Sequence, residues 1–143
     1  MTSAPLSQNV EDYLKEIYKL ESERGRATTS AVAERMGVAA PSATAMLKKL
    51  AALGLLEHER YRGVRLTGAG EKAAIEVIRH HRLLEQYLAE SLGLPIDEVH
   101  DEADRLEHAL SEELEQRIDK ALGYPTHDPH GDPIPNADLK WPS

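Results

Sequence analysis

Most of this chain consists of apolar residues that recur at helical spacing, in segments most of which end at a glycine. Residues 9–24 show the pattern first, because Val10, Leu14 and Ile17 share one helical face and Gly25 follows. The same pattern predicts helices over 30–36, 41–53, 67–92, 96–110 and 111–123. The residues predicted to start helices are Asn9, Pro41, Thr67 and Ser111. Residues 55–66 instead predict a hairpin, with a turn at 60–63 and a returning strand at 64–66. The fold class is therefore mainly α.

Cysteine content and charge narrow the function classes. The chain has 143 residues and no cysteine, which excludes disulfides, zinc–thiolate sites, iron–sulfur clusters and thiol catalysis. Its formal charge of -8 is uneven: residues 1–75 carry 11 Lys/Arg against 9 Asp/Glu, and residues 76–143 carry 6 against 16. Six of the seven histidines lie beyond residue 79. This asymmetry predicts one surface for a polyanion and another for cations, with two ordinary solvated faces as the alternative.

Domain organisation and cellular location follow from the same patterns. No apolar run approaches the roughly 18 residues that a membrane span needs, and the N-terminal residues lack the features of a signal peptide. We expect a cytoplasmic protein with no membrane partner and two small domains, 1–74 and 75–143. Five of the eight prolines fall in 124–143, which predicts an irregular tail.

Residues 30–53 fit a helix-turn-helix, a motif whose second helix reads the major groove of double-stranded DNA. Short polar side chains near a helix start can reach base edges or phosphates, and lysines suit phosphates. Three arginines surround the hairpin that follows, as a wing beside the groove requires. An ordinary antiparallel helix pair is the alternative. The candidate DNA-binding residues are Ser30, Pro41, Ser42, Thr44, Lys48, Lys49, Arg60, Arg62 and Arg65.

Four potential metal ligands fall on one face of the predicted fifth helix, beside its apolar stripe. They are His100, Asp104, Glu107 and His108, at i, i+4, i+7 and i+8. Imidazole and carboxylate donors suit Mn(II) or Fe(II), and zinc can use the same donors. Each residue alone is more typical of a solvated surface. Further candidate ligands, paired at i and i+4 on other helices, are His81 with Glu85 and Asp12 with Glu16.

With these residues placed, the chain resembles the diphtheria-toxin-repressor family of metal-dependent transcription regulators over residues 8–136. The resemblance implies a winged helix-turn-helix DNA-binding domain followed by an all-helical dimerisation and metal-binding domain. It further implies a homodimer that binds a palindromic operator when metal is bound and represses metal-ion homeostasis genes. Longer members continue into an SH3-like domain, so we expect either that this protein lacks it or that the chain is a fragment. The motifs are VEDYLKEIYKLE, AERMGVAAPSATAMLKKL, YRGVRLTGAGEKAA, HHRLLEQYL, VHDEADRLEHALS and PHGDPIP.

The resemblance also assigns the ligands by position. It implies a regulatory site of Asp12, Asp104, Glu107 and His108, and an ancillary site of His81, Glu85 and His100. Asp104 stands where iron sensors have Cys and manganese sensors Glu, and Asp12 where iron sensors have Met. These hard oxygen donors favour Mn(II), with Fe(II) as the alternative. Lys15 stands where manganese sensors have Glu, which makes Glu16 the candidate substitute, while His100 is closer to the iron branch.

Other function classes stay open at this point. A winged-helix regulator that senses an organic ligand predicts an apolar pocket, which six aromatic residues and no Phe disfavour. A metal-dependent hydrolase is disfavoured by the absence of HExxH and of a nucleophile beside a base. A metal-storage protein would not need the basic hairpin. In the tail, His127, Asp128, His130 and Asp132 could form an extra metal site, but a proline-pinned loop is the favoured interpretation.

Overall fold

The computed structural model describes residues 6–143 and divides into two compact units between Ala74 and Ile75. The expectation of no signal peptide and the start of the first predicted domain fall partly on residues 1–5, which lie outside the described residues. Along the part that is described, no helix is long and apolar enough to cross a membrane. The first unit contains α1 (Gln8–Arg24), α2 (Thr29–Met36), α3 (Ala40–Ala52), β1 (Leu56–Glu59), β2 (Gly63–Leu66) and the start of α4 (Gly68–Glu90). The second contains the rest of α4, α5 (Ile96–Leu106), α6 (Glu112–Ala121) and the irregular tail.

The helix starts follow local capping chemistry. Ser7, rather than the predicted Asn9, caps α1: its hydroxyl accepts from the Val10 N–H at 3.2 Å, and Asn9 lies inside the helix. The extended backbone of Ser7 leaves its side chain free to turn back onto the first helical turn. Ser111 caps α6 as predicted, accepting from the Leu114 N–H at 3.1 Å.

The largest difference from the sequence prediction lies in α5. This helix ends at Leu106, four residues before the predicted end. Glu107 follows as the cap, with its N–H bonded to the Ala103 carbonyl at 2.9 Å, and His108 lies beyond the helix. Because Ser111 needs extended backbone (φ -76°, ψ 155°) to cap α6, the chain leaves helical geometry before it. The prediction of four ligands on one helix face was therefore wrong: only His100 and Asp104 are within α5.

In the first unit, α1, α2, α3 and the hairpin enclose one apolar core, with Leu14, Ile17 and Leu47 fully buried. Gly37 adopts left-handed backbone (φ 67°) in the turn between α2 and α3. The hairpin is fastened beside this pair, because the Val64 N–H donates to the Ala27 carbonyl at 2.9 Å. The strands pair antiparallel, from Leu56 opposite Leu66 to Glu59 opposite Gly63. This arrangement confirms the winged helix-turn-helix prediction.

The second unit has a small apolar core and a buried polar network. The core side chains, from α4, α5 and α6, are Leu84, Leu88, Val99, Ala103 and Ile118. Arg79 of α4 pairs with Glu115 and, at 2.9 Å, with Asp119 of α6. It also donates to the Pro135 carbonyl at 2.8 Å. A guanidinium offers several donors in fixed directions, so this one side chain joins α4 to both α6 and the tail.

Candidate metal centre and nucleic-acid interface

A cluster of imidazoles and carboxylates is centred on His81, which is buried on α4. Its Nδ1 lies 2.7 Å from Glu107 Oε2 and 3.1 Å from Asp104 Oδ1. Its Nε2 lies 3.4 Å from Glu85 Oε1, one helical turn further along α4, and 3.2 Å from His100 Nδ1. Both ring nitrogens therefore face candidate ligands.

Two residues of α5, His100 and Asp104, belong to the same cluster. His100 Nε2 lies 3.3 Å from Asp104 Oδ2, at i and i+4 on the helix. Donor atoms of His81, His100 and Asp104 all lie within 4.8 Å of one another. Such separations suit donors that share one cation, and the donor set contains no sulfur. The residues present thus fit a hard or borderline divalent ion.

The carboxylates around His81 control its proton. Burial alone would lower the pKa of His81, but the hydrogen bonds that its ring donates to Asp104, Glu107 and Glu85 outweigh burial and raise the pKa to about 10. The imidazolium is therefore the stable form at neutral pH while no metal is bound. The His81 imidazolium thus places one positive charge between the carboxylates that would ligate a metal cation.

The tail supplies two donors from the segment for which the sequence offers an extra metal site or, as the favoured interpretation, a proline-pinned loop. Asp128 and His130 reach Glu85, and donor atoms of the three residues lie within 4.8 Å of one another. His130 Nδ1 lies 3.4 Å from Glu85 Oε2. The buried atoms Glu85 Oε2 and Asp128 Oδ2 have no hydrogen-bond partner. Orphaned buried carboxylate oxygens are costly without a cation, so this group also fits a metal ion.

Local geometry explains how the tail presents these side chains. Asp128 Oδ1 accepts from the backbone N–H groups of His130 and Asp132, both at 2.9 Å, which folds the turn around it. Burial and the neighbouring Glu85 raise the pKa of Asp128 to about 6. The proline-pinned loop expected from sequence is thus present, and it also carries donors. No signal in a single sequence connects residue 128 to residue 85. His127 and Asp132 are outside the groups of candidate ligands found among residues 6–143.

The remaining predicted ligands belong to the segment after α5 and to α1. His108 follows α5 and its Nε2 lies 3.2 Å from Glu107 Oε1. Asp12 and Glu16 belong to α1 in the first unit, and both are partly buried. Glu16 Oε2 is buried without a hydrogen bond, and Lys19 Nζ lies 3.9 Å away. Lys15, between them in sequence, is buried.

The predicted DNA-contacting side chains lie on the solvent side of the first unit. Ala43, Leu47 and Leu50 form the buried face of α3, which leaves Ser42, Lys48 and Lys49 exposed. Thr44 is partly buried, while Ser30 and Pro41 are exposed; so are Arg60, Arg62 and Arg65 of the hairpin. Such an exposed row of short polar and basic residues on one helix, followed by a basic hairpin, suits a duplex.

One residue of this surface was missed by the sequence analysis. Tyr61, at the hairpin tip, is 87% exposed and has left-handed backbone, with φ 67°. The Arg60 guanidinium lies 5.0 Å from the centre of its ring. A tyrosine in a predicted tight turn, between two arginines, was the available signal.

Fold and site together define a winged helix-turn-helix unit followed by a helical unit rich in potential metal ligands. Two family models match the two units: "Iron dependent repressor, N-terminal DNA binding domain" over residues 5–64, and "Iron dependent repressor, metal binding and dimerisation domain" over residues 67–136. The chain belongs to this family of iron-dependent repressors. The resemblance inferred from the motifs is thereby confirmed, and the matched proteins are named as repressors rather than enzymes.

The names of individual relatives mention different metals, iron in one case and manganese in another. The chain is 41% identical over 130 residues to the iron-dependent repressor IdeR of Mycobacterium tuberculosis, covering 91% of this chain and 56% of that protein. It is 37% identical over 133 residues to the diphtheria toxin repressor of Corynebacterium diphtheriae, covering 93% and 59%. A solved manganese-dependent transcriptional repressor in complex with manganese is 47% identical, with a TM-score of 0.86, covering 94% and 62%. The chain thus spans less than two thirds of these relatives.

Proposed function

We propose that this chain is a Mn(II)-responsive DNA-binding transcriptional repressor of metal-ion homeostasis genes, with Fe(II) as the second candidate ion. The observation that carries the proposal is the convergence of a second imidazole and three carboxylates on His81, without sulfur. Carboxylate-rich sites favour Mn(II) over the ions that prefer thiolates. Manganese and iron each appear in the name of a relative, so the experiment compares the two ions.

The ligands that we propose in the second unit are His81, Glu85, His100, Asp104, Glu107 and His108. A divalent cation, when bound, supplies the charge that neutralises their carboxylates. In its absence His81 holds a proton between Asp104 and Glu107, and this proton must leave before Nδ1 can ligate. Glu85 faces both His81 and the tail pair Asp128 and His130, so it is positioned to serve either group of donors.

Asp12 and Glu16 of α1 are proposed as further ligands on the family resemblance alone. Both offer hard oxygen donors, in keeping with the carboxylate-rich set of the second unit. We propose that metal ligation by these residues favours the conformation that binds DNA. A metal can shift the equilibrium between the DNA-binding conformation and the alternative conformation only by binding the first more tightly. By linkage, DNA tightens metal binding by the same factor by which metal tightens DNA binding. Couplings of this kind are typically about 1–3 kcal/mol, or roughly 5–150-fold.

We propose that DNA is bound by a homodimer on a palindromic operator. The predicted contacts of one protomer are Ser30, Pro41, Ser42, Thr44, Lys48, Lys49, Arg60, Arg62 and Arg65. Two-fold protein symmetry matches two half-sites about one helical turn apart. Large aliphatic side chains of the second unit are exposed, among them Ile96 and Leu106, which are 53% and 43% exposed. A second copy of the chain would remove such surface from water. The proposed place of action is the cytoplasm, where the protein meets DNA.

The test begins with selection of duplexes from a randomised library by the protein in Mn(II). The selected duplex and a scrambled one are then titrated by fluorescence anisotropy in EDTA, in Mn(II) and in anaerobic Fe(II). Salt stays fixed because phosphate contacts dominate non-specific affinity. We expect tight binding of the selected duplex only with metal, and tighter binding with Mn(II) than with Fe(II). Equal binding in EDTA contradicts metal dependence, and tighter binding with Fe(II) contradicts the choice of manganese.

A matched pair of variants connects the DNA response to the site. Glu85→Gln changes a buried candidate ligand, whereas Glu113→Gln changes an exposed carboxylate of α6 that pairs with Arg117. We expect Glu85→Gln to weaken the metal-stimulated part of DNA binding and Glu113→Gln to leave it intact. Equal metal-stimulated DNA binding by the two variants would mean that the metal centre containing Glu85 does not control DNA binding.

A further inference from the structure

The tip of the hairpin is formed by Arg60, Tyr61 and Arg62, which we call the wing tip. The turn is closed by a hydrogen bond from the Arg62 N–H to the Glu59 carbonyl at 3.1 Å. Tyr61, the third residue of this four-residue turn, has a φ of 67°. Glycine or asparagine usually takes that position, because a left-handed backbone crowds a larger side chain. The turn therefore does not account for a tyrosine here.

Packing within the first unit does not account for it either. The ring is 87% exposed and is not part of the apolar core. Its described ring partner is Arg60, whose guanidinium lies 5.0 Å from the ring centre, on the same turn. The stacked pair thus projects from the hairpin into solvent as a flat, positively charged unit.

Charge and shape at the wing tip point to one occupant. Residues 60–62 carry two guanidinium groups and no carboxylate. The neighbouring carboxylate of Glu59 is paired with another residue, because its Oε1 lies 3.8 Å from a guanidinium nitrogen of Arg65. A duplex minor groove is about 6 Å wide, which excludes a helix but admits a narrow turn. Where A·T pairs narrow that groove, its negative potential rises and attracts arginine.

We propose that the stacked pair of Arg60 and Tyr61 enters the minor groove beside the bases that α3 reads and makes A·T pairs preferred there. This inference rests on the proposed DNA-binding function and adds to it a second reading element. Tyr61 packs its ring along the groove wall, and Arg60 places its charge at the groove floor. The pair is therefore a specificity-determining element and not only a contact to phosphate.

The test uses base analogues in the duplex selected by the whole chain in Mn(II). Replacing adenine by 2,6-diaminopurine adds an amino group in the minor groove and leaves the major-groove edge unchanged. We expect these replacements, placed in the A·T pairs flanking the half-sites, to weaken binding by the unaltered protein about tenfold, within the range for one altered base pair. We expect no such loss from the same replacement in a distant part of the duplex.

Two variants separate a binding role from a folding role. Tyr61→Gly removes the ring and suits the left-handed backbone, so we expect no loss of thermal stability and about 5–20-fold weaker binding, as for loss of one good base contact. It should also lose most of its sensitivity to diaminopurine. Tyr124→Gly is the matched control, because Tyr124 is also exposed (64%) and left-handed (φ 57°) but lies in the second unit. We expect this control to bind as the unaltered protein does.

The experiments distinguish failure of the minor-groove inference from failure of the proposed metal-dependent DNA binding. Metal-dependent binding that ignores diaminopurine in every flanking pair overturns the minor-groove inference and leaves the proposed function standing. Equal affinities of Tyr61→Gly and Tyr124→Gly overturn it as well. A protein that selects no duplex in Mn(II) or Fe(II) overturns the proposed function, and this inference fails with it.

Discussion

His81 Nδ1 of α4 lies 2.7 Å from Oε2 of Glu107, the residue that caps the end of α5. The Glu107 side chain is fully buried. A buried carboxylate is stable only when it is paired or bound to a cation, so this contact holds α4 and α5 together while no metal is bound. The same two atoms are candidate ligands, which makes the contact a competitor of metal binding.

Glu107→Gln should lower Mn(II) affinity by at least about 10–100-fold, the range for loss of a group that supports a metal site. The amide keeps the size of the side chain but removes the negative charge that a cation needs. Isothermal titration calorimetry measures the affinity, with Glu113→Gln as the exposed control on α6. Unchanged affinity in a folded Glu107→Gln variant would remove Glu107 from the ligand set.

Metal binding should release protons near neutral pH. The pKa of His81 is raised to about 10 by Asp104, Glu107 and Glu85, against the effect of burial. Between about pH 6.5, the ordinary pKa of histidine, and about pH 10, His81 therefore stays protonated in the metal-free protein. A metal that binds His81 in this range has to displace the proton. Affinity should rise about tenfold per pH unit between about pH 6 and 8.

Calorimetry in two buffers of different ionisation enthalpy measures the number of protons released. We expect at least one proton per chain near pH 7 in the unaltered protein. His127→Gln, in the tail and outside the groups of candidate ligands, serves as the control and should release the same number. A pH-independent affinity with no proton release would mean that His81 does not ligate.

Asp128→Asn should stabilise the metal-free protein and weaken metal binding at the tail. Burial and Glu85 raise the pKa of Asp128 to about 6, so its ionisation is disfavoured in the folded state. Stability should fall as pH rises from about 4 through 6, because the folded state binds more protons than the unfolded state there. Asparagine keeps the oxygen that accepts from His130 and Asp132 but has no charge.

At about pH 7.5 we expect a gain near 1 kcal/mol, less than the full pKa shift implies, because water screens part of the repulsion. Thermal melting in EDTA and in Mn(II) provides the comparison. Metal should stabilise the unaltered protein more than the variant, since binding to the folded state alone raises stability. A variant that is destabilised in EDTA at this pH would contradict the proposed repulsion between Asp128 and Glu85.

Asp12→Ala should reduce metal-stimulated DNA binding and leave the homodimer intact. We expect loss of most of the coupling, which is roughly 5–150-fold in affinity. Anisotropy with and without Mn(II) measures the coupling, and sedimentation velocity measures the oligomeric state. Monomers in the Asp12→Ala sample would contradict the assignment of Asp12 as a ligand and would place it in dimerisation instead.

Gly63→Ala should damage the wing more than Gly25→Ala damages the end of α1. Both glycines have left-handed backbone, with φ of 93° and 77°, so both substitutions introduce strain of about 1 kcal/mol. A Cβ at Gly63 would also lie 2.3 Å from the Ala27 carbonyl oxygen, whereas one at Gly25 meets nothing within 4 Å. We expect an additional loss of about 1–3 kcal/mol for Gly63→Ala, in the range of overpacking.

Urea unfolding measures the two stabilities, and anisotropy measures DNA affinity. Gly63→Ala should weaken DNA binding while the metal affinity of the second unit stays unchanged. Equal unfolding free energies for the two variants would mean that the backbone near Ala27 moves aside without cost.

The sequence by itself determined the local structure and the kinds of residue at the site. Helix starts at Thr67 and Ser111 and the stop at Gly37 follow from contacts within a few residues, and those predictions hold. The i and i+4 spacing of His81 with Glu85 is likewise a local property of one helix. The family resemblance, confirmed over both units, rests on the same motifs.

Only the tertiary structure decided which of those residues meet. The early end of α5 depends on how the chain must turn to begin α6, and it moves His108 off the helix face. The approach of Asp128 and His130 to Glu85 depends on a tail that is held to α4 by the hydrogen bond from Arg79 to the Pro135 carbonyl, 56 residues further along the chain. Convergence of this kind is set by packing between elements distant in sequence, whereas spacing along one helix is set by its own geometry.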